Sequence, residues 1–172
     1  MRRYKEFTHM IIKKKIEYGT SPLFCWDVFA CDTLELRTTL KKSQDVQELK
    51  FLAEKKGWEF DWERLFDYSY QTIVLTGVDN RILWVGDGFH EMTGYPKVYA
   101  LGKSPQFLQG PGTREEDKES FKEKLLGGGE FTQRILNYRK DRSEYICEVT
   151  VLPIMGVDQS TAAFLALESE VF

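Results

Sequence analysis

The segment QTIVLTGVDNRILWVG, residues 71–86, is where the chain changes character. TIVLTGVD, residues 72–79, is read as a strand, Asp79-Asn80 is a hairpin turn signal, and RILWVG, residues 81–86, is its partner. Upstream the periodicity is helical. Tyr4, Phe7, Ile11, Ile12 and Ile16 fall on one stripe and Gly19 ends that helix. Ser21-Pro22 opens a second, expected to run to about Leu40. Ser43 is read as opening a third, with Val46, Leu49, Leu52 and Ala53 on one face and Gly57 as its stop, and a short turn covers Phe60 to Phe66. Downstream, short helices are expected at 87–93 and 97–101 and a longer one at 114–126, closed by Gly127-Gly128-Gly129. Strands at 131–139, 144–155 and 161–170 complete the chain. The order β-β-α-α-α-β-β-β predicts an α+β domain: a five-stranded antiparallel sheet with helices on one face, over 71–172. Residues 1–70 form a helical N-terminal extension that packs on the sheet's outer face, on a second copy, or on both.

Composition narrows the function classes. Of 172 residues, 42% are hydrophobic and 14% aromatic, as in a globular protein. A net charge of -3 gives no basic field for nucleic acid. No apolar run reaches the roughly 20 residues of a membrane span, and lysines interrupt the basic start where a signal peptide would be continuous. Cys25, Cys31 and Cys147 have no metal spacing and read as reduced thiols in a cytoplasmic protein. His9 and His90 lack partners at ligand spacing and read as surface or packing residues. The triple glycine follows a helix instead of opening one, so it reads as a C-cap and not a phosphate loop.

The stretches VGDGFHEMTGY, ALGKSPQFLQGPGT, LNYRKDRSEYICEV and FLALE, in this order, resemble the PAS superfamily and within it the LOV branch of flavin-binding blue-light sensors. The resemblance covers residues 71–172, about the last three-fifths of the chain. The N-terminal SPLFCWDVF is similar to that of short single-PAS proteins of bacterial origin. In the LOV pattern the loop reads GxNCRFLQGPGT, and its cysteine thiol adds to the flavin after light absorption. Here Pro105 stands at the thiol position, so the resemblance implies that the adduct cannot form. Ser104 replaces the preceding asparagine, and Gln106 replaces a phosphate-binding arginine. Lys122 stands for the second phosphate arginine, keeping charge without the fork. Gln109 and Asn137 match ring-binding amides of the pattern, whereas Cys147 replaces the second asparagine. Glu168 replaces the glutamine that transmits the light signal, and an ionised glutamate has no donor for the ring.

Losing one arginine and two ring amides removes on the order of 4–8 kcal/mol, three to six decades of affinity. The expectation is a sensory or protein-interaction module without an enzymatic step, without cysteinyl-flavin photochemistry and without bound flavin. It acts as a homodimer or through a protein partner that the sequence does not name. The alternative is a light or redox sensor that keeps FMN or another flavin. Gln109 and Asn137 either line a pocket or hold the FLQG backbone. Glu168, near a strand end, is expected to face water. No nucleophile–base pair, metal spacing or phosphate loop supports an enzyme.

Overall fold

No glycine or proline interrupts the chain between Cys25 and Lys56, and the computed structural model has one continuous helix there, α1. The structure describes the backbone of residues 25–172 and side chains from residue 39 on, so the expected stripe over residues 4–16, its Gly19 stop, the cap at Ser21-Pro22 and His9 lie outside the described residues. The expected break between Leu40 and Ser43 is corrected. Serine and threonine cost a helix interior only about half a kcal/mol each, too little to end it without a glycine or proline. Gly57 does end it, at φ +67°, with the Trp58 N–H donating to the Ala53 carbonyl at 2.9 Å.

The chain divides into two units, Met1–Thr39 and Leu40–Phe172, and the second holds the sheet. A 3₁₀ turn at Trp62–Asp67 is capped by the Asp61 carboxylate and leads into β1, Thr72–Gly77. β1 pairs antiparallel with β2, Ile82–Val85, across a turn in which Asn80 takes φ 57°. Then come α2 (Gly88–Thr93), α3 (Lys97–Ala100), a 3₁₀ turn (Pro105–Leu108) and α4 (Glu115–Leu126). β3 (Phe131–Tyr138), β4 (Glu144–Met155) and β5 (Thr161–Val171) complete an antiparallel sheet of order β2-β1-β5-β4-β3. The triple glycine acts as the helix stop, with the Gly127 N–H donating to the Glu123 carbonyl at 3.0 Å.

Both faces of the sheet are covered. Ile73, Leu75, Leu152, Ile154, Leu165 and Leu167 point to the outer face and pack with Val46 and Leu49 of α1 and Leu65 of the first 3₁₀ turn. Val74, Ile135, Val149, Val151 and Phe164 point inward, toward Phe89 and Met92 of α2, Ala100 of α3 and Phe121 of α4. The helices between β2 and β3 thus gather on one face, as expected. The later part of the extension takes the other, and residues 40–70 share a core with the strands.

α1 is also fastened by polar groups. Trp84 Nε1 donates to Glu48 at 2.9 Å, Lys42 Nζ to the Tyr68 carbonyl at 2.7 Å, and Lys41 Nζ to Glu91 at 2.9 Å. Asp45 is buried beside Gly86 and accepts from the Asp87 N–H. Burial, and then the charge of Asp87, push its carboxyl up to about 6.

Candidate functional site

The sheet's register decides which candidate residues meet. Glu168 on β5 lies directly opposite Thr72 on β1 and Val149 on β4. Asn137 on β3 lies opposite Tyr145, and Ile135 opposite Cys147. With a side-chain period of two, Thr72, Asn137, Tyr145, Cys147 and Glu168 all point to the inner face. All are buried, Glu168 at 5% exposure and Thr72 at 0%. The expectation of a water-facing Glu168 is therefore corrected. β5 is covered on both faces, so its nearness to the strand end brings no solvent.

Three atoms in this cluster lack a hydrogen bond of good geometry among the described residues: Thr72 Oγ1, the Tyr145 hydroxyl, beside which the Asn137 side chain lies, and Glu168 Oε2. Burial pushes the Glu168 carboxyl up to about 7. The Cys147 thiol is raised by burial and then by the charge of Glu168, which disfavours the thiolate. The Tyr145 phenol is raised by the same two causes in the same order. Arg139 closes one end of the cluster. Its guanidinium lies 4.7 Å from the Tyr145 ring, donates to Glu170 at 2.6 Å and to the Met92 carbonyl at 3.0 Å.

The loop residues sit differently. Ser104 caps the 3₁₀ turn, accepting from the Gln106 N–H at 3.4 Å and from Asn80 Nδ2 at 3.2 Å, so its hydroxyl is committed to the fold. Pro105 takes the first position of that turn, where its missing N–H costs nothing. Gln106 and Lys122 are exposed, and Gln109 is half-buried at the end of the turn with its N–H on the Gln106 carbonyl. Of the eight sequence candidates, the sheet brings together Asn137, Cys147 and Glu168.

Downstream, the loop's shape has a steric cause. A Cβ on Gly110 would lie 2.4 Å from the Tyr138 ring, and one on Gly112 would lie 2.6 Å from its hydroxyl. The Gly112 N–H donates to that hydroxyl at 2.8 Å, and Thr113 Oγ1 donates to the Leu136 carbonyl at 2.7 Å. The GPGT segment is thus shaped by β3. Thr72, Tyr145 and Arg139 were absent from the sequence candidates. The available signal was cross-strand alternation, which puts Tyr145 on the same face as Cys147.

The PAS domain family matches residues 71–167. The chain is 30% identical over 107 residues to phototropin-1B of Oryza sativa subsp. japonica, which spans 62% of this chain and 12% of that protein. It is 33% identical over 93 residues to a blue-light photoreceptor of Listeria monocytogenes, covering 54% of this chain and 36% of the other. It is also 35% identical over 86 residues to the voltage-gated inwardly rectifying potassium channel KCNH6 of Homo sapiens, covering 49% and 9%. The chain therefore spans well under half the length of these relatives. Among solved structures, the light state of the Aureochrome1 LOV domain superposes with a TM-score of 0.59 at 25% identity, covering 63% of this chain and 88% of that one. The PAS domain of the fruit-fly ELK potassium channel gives 0.56 at 27% identity, covering 63% and 93%.

Proposed function

Because the chain belongs to the PAS domain family, we propose that it is a sensory and protein-interaction module that performs no chemical step and does not hold flavin. The observation that carries this is Glu168, buried with its Oε2 unpartnered among the described residues, at a position where the LOV pattern reads the flavin ring with an amide. A carboxylate there faces ring carbonyls with acceptor against acceptor, and with burial holding the carboxyl at about 7 the donating neutral acid is present in only about half the molecules at pH 7. Pro105 supplies no thiol, Gln106 supplies no charge, and Cys147 offers a weak donor where an amide is expected. These residues do not fit the flavin that the family's photoreceptors imply. Likeness to potassium channels as well as photoreceptors supports a fold put to uses other than light.

The output in this reading is a homodimer or a protein partner in the cytoplasm, engaged through the helical N-terminus. Among the described residues, no helix is long and apolar enough to cross a membrane, and no group of His, Cys, Asp and Glu is placed to hold a metal. A second reading, a flavin-binding light or redox sensor without the cysteine adduct, is favoured by Gln109 and Asn137 and by the photoreceptor relatives. The absorption spectrum and native mass of the purified protein separate the two. A colourless dimer that takes up no added flavin supports the first; yellow protein that releases flavin on denaturation refutes it.

A further inference from the structure

We propose that Asp45 is a proton-operated latch on the outer-face helix: its neutral carboxyl holds residues 40–56 of α1 against the turn that opens α2, and its charged form loosens that hold. The latch stands whether or not flavin occupies the domain.

The carboxyl has little room to turn. Asp45 is 6% exposed, and its two oxygens would lie 2.9 and 3.3 Å from a Cβ on Gly86. A glycine is what lets the helix come this close, and the Gly86 N–H already donates to the Ile73 carbonyl at 2.8 Å. The donor that Asp45 does receive is a main-chain one, the Asp87 N–H. One amide serves the carbonyl oxygen of a neutral acid but leaves a buried carboxylate short of partners.

The surrounding charges do not make up the difference. On α1 itself, Lys41 pairs with Glu91, Lys42 donates to the Tyr68 carbonyl and lies 4.7 Å from the Tyr70 ring, and Glu48 accepts from Trp84 Nε1 of β2. The segment entering β1 brings the buried Tyr70 phenol, raised by burial and then by the charge of Asp45. α2 brings Glu91 and the exposed His90, and α3 brings Lys97, paired with Asp87. Among the described residues no cation forms an ion pair with Asp45. Ionising it sets a further negative charge beside Asp87 and Glu48, with the pull of Lys97 shared.

Burial, and then the charge of Asp87, hold the carboxyl at about 6 against 3.8 when unperturbed. The docked helix therefore keeps a proton that the undocked one releases. Its hold is complete below pH 3.8 and is lost as pH rises through 6. The docking equilibrium changes by at most about a hundredfold across that window, and screening by solvent at the helix edge brings this to about tenfold.

The test is hydrogen exchange of the full chain, read by mass spectrometry as protection factors for peptides from 40–56 and from β5, at about pH 4 and about pH 7.5. Protection of the helix relative to β5 should fall about tenfold between the two. Asp45→Asn, which keeps the acceptor and cannot ionise, should hold that ratio constant. Asp87→Asn, which removes the nearest like charge and frees Lys97, should move the loss to lower pH. A wild-type ratio that does not change with pH overturns the latch, whatever the variants do. So does the same pH-dependent loss in folded Asp45→Asn, which assigns the proton to His90 or another group.

Discussion

Replacing Glu168 by glutamine should stabilise the ligand-free protein, and should do so only at neutral and alkaline pH. The carboxyl titrates at about 7 in the fold against 4.5 when unperturbed, and it is fully buried, so solvent screening does not dilute the effect. Between those two values the folded state holds a proton that the unfolded chain has released. The stability tied to this group is thus complete below pH 4.5 and lost as pH rises through 7. The loss amounts to about 3 kcal/mol. Glutamine is nearly isosteric with the neutral acid and cannot ionise. The variant should therefore match wild type near pH 4.5 and exceed it by about 3 kcal/mol at pH 8, or ~6–12 °C in Tm for a domain of this size. The groups around Glu168 do not mask this. Tyr145 and Cys147 are both raised by burial and stay neutral through the range, and the Arg139–Glu170 pair is common to both proteins. Asp45, also raised by burial, contributes the same sign in both and cancels in the difference. Thermal melts of the two proteins at four or so pH values suffice. A Tm gap that does not change with pH would refute the reasoning.

Other outcomes follow from the packing. Gly88→Ala should cost about 3 kcal/mol or more, because a Cβ there would lie 1.9 Å from the Gln71 carbonyl oxygen and backbone cannot swing aside. Gly110→Ala, whose clash is with the Tyr138 ring, should cost about 1–3 kcal/mol; urea melts that ranked the two in reverse would contradict the steric account. Leu49→Ala, at 1% exposure on α1, should cost about 2–5 kcal/mol, and a fragment of residues 71–172 should melt well below one of residues 40–172. Pro105→Cys should create no photocycle, since Gln106, Cys147 and Glu168 remain. A reversible light-bleached spectrum in that variant alone would show the other changes to be harmless.

The hairpin at 72–85, the helix stops at Gly57 and Gly127, and the order of elements along the chain could be read because each is written in local chemistry: a turn pair, a glycine, a run of β-branched residues. The continuity of α1 could not. Ser43 has the side chain of a helix cap, a signal that masks the absence of any glycine or proline, and the helix runs on to place Val46 and Leu49 on the sheet. Glu168 escaped for a related reason. A strand covered on both faces loses its alternating pattern, and β5 buries Phe164, Leu165, Leu167 and Glu168 alike. Its orientation is legible only from the cross-strand partners Thr72 and Val149, which a single strand's sequence does not display. The loop, by contrast, keeps its outline because Tyr138 leaves no room for side chains at 110 and 112, a constraint indifferent to any ligand.

The crowding at Gly88 reaches beyond stability. Gln71 donates its N–H to the Glu168 carbonyl at 2.9 Å, and its side chain accepts from the Glu170 N–H at 3.0 Å, while its own carbonyl abuts the first residue of α2. One peptide unit is thus wedged between the strand that carries the buried carboxyl and the helix that roofs it. Such a joint has no slack. Gln71 touches both β5 at Glu168 and the start of α2, and Asp45 of α1 lies against Gly86 two residues earlier. Direct contacts thus run without a break from the strand of the buried carboxyl, through Gln71 and the turn at 86–88, to the helix along the outer face.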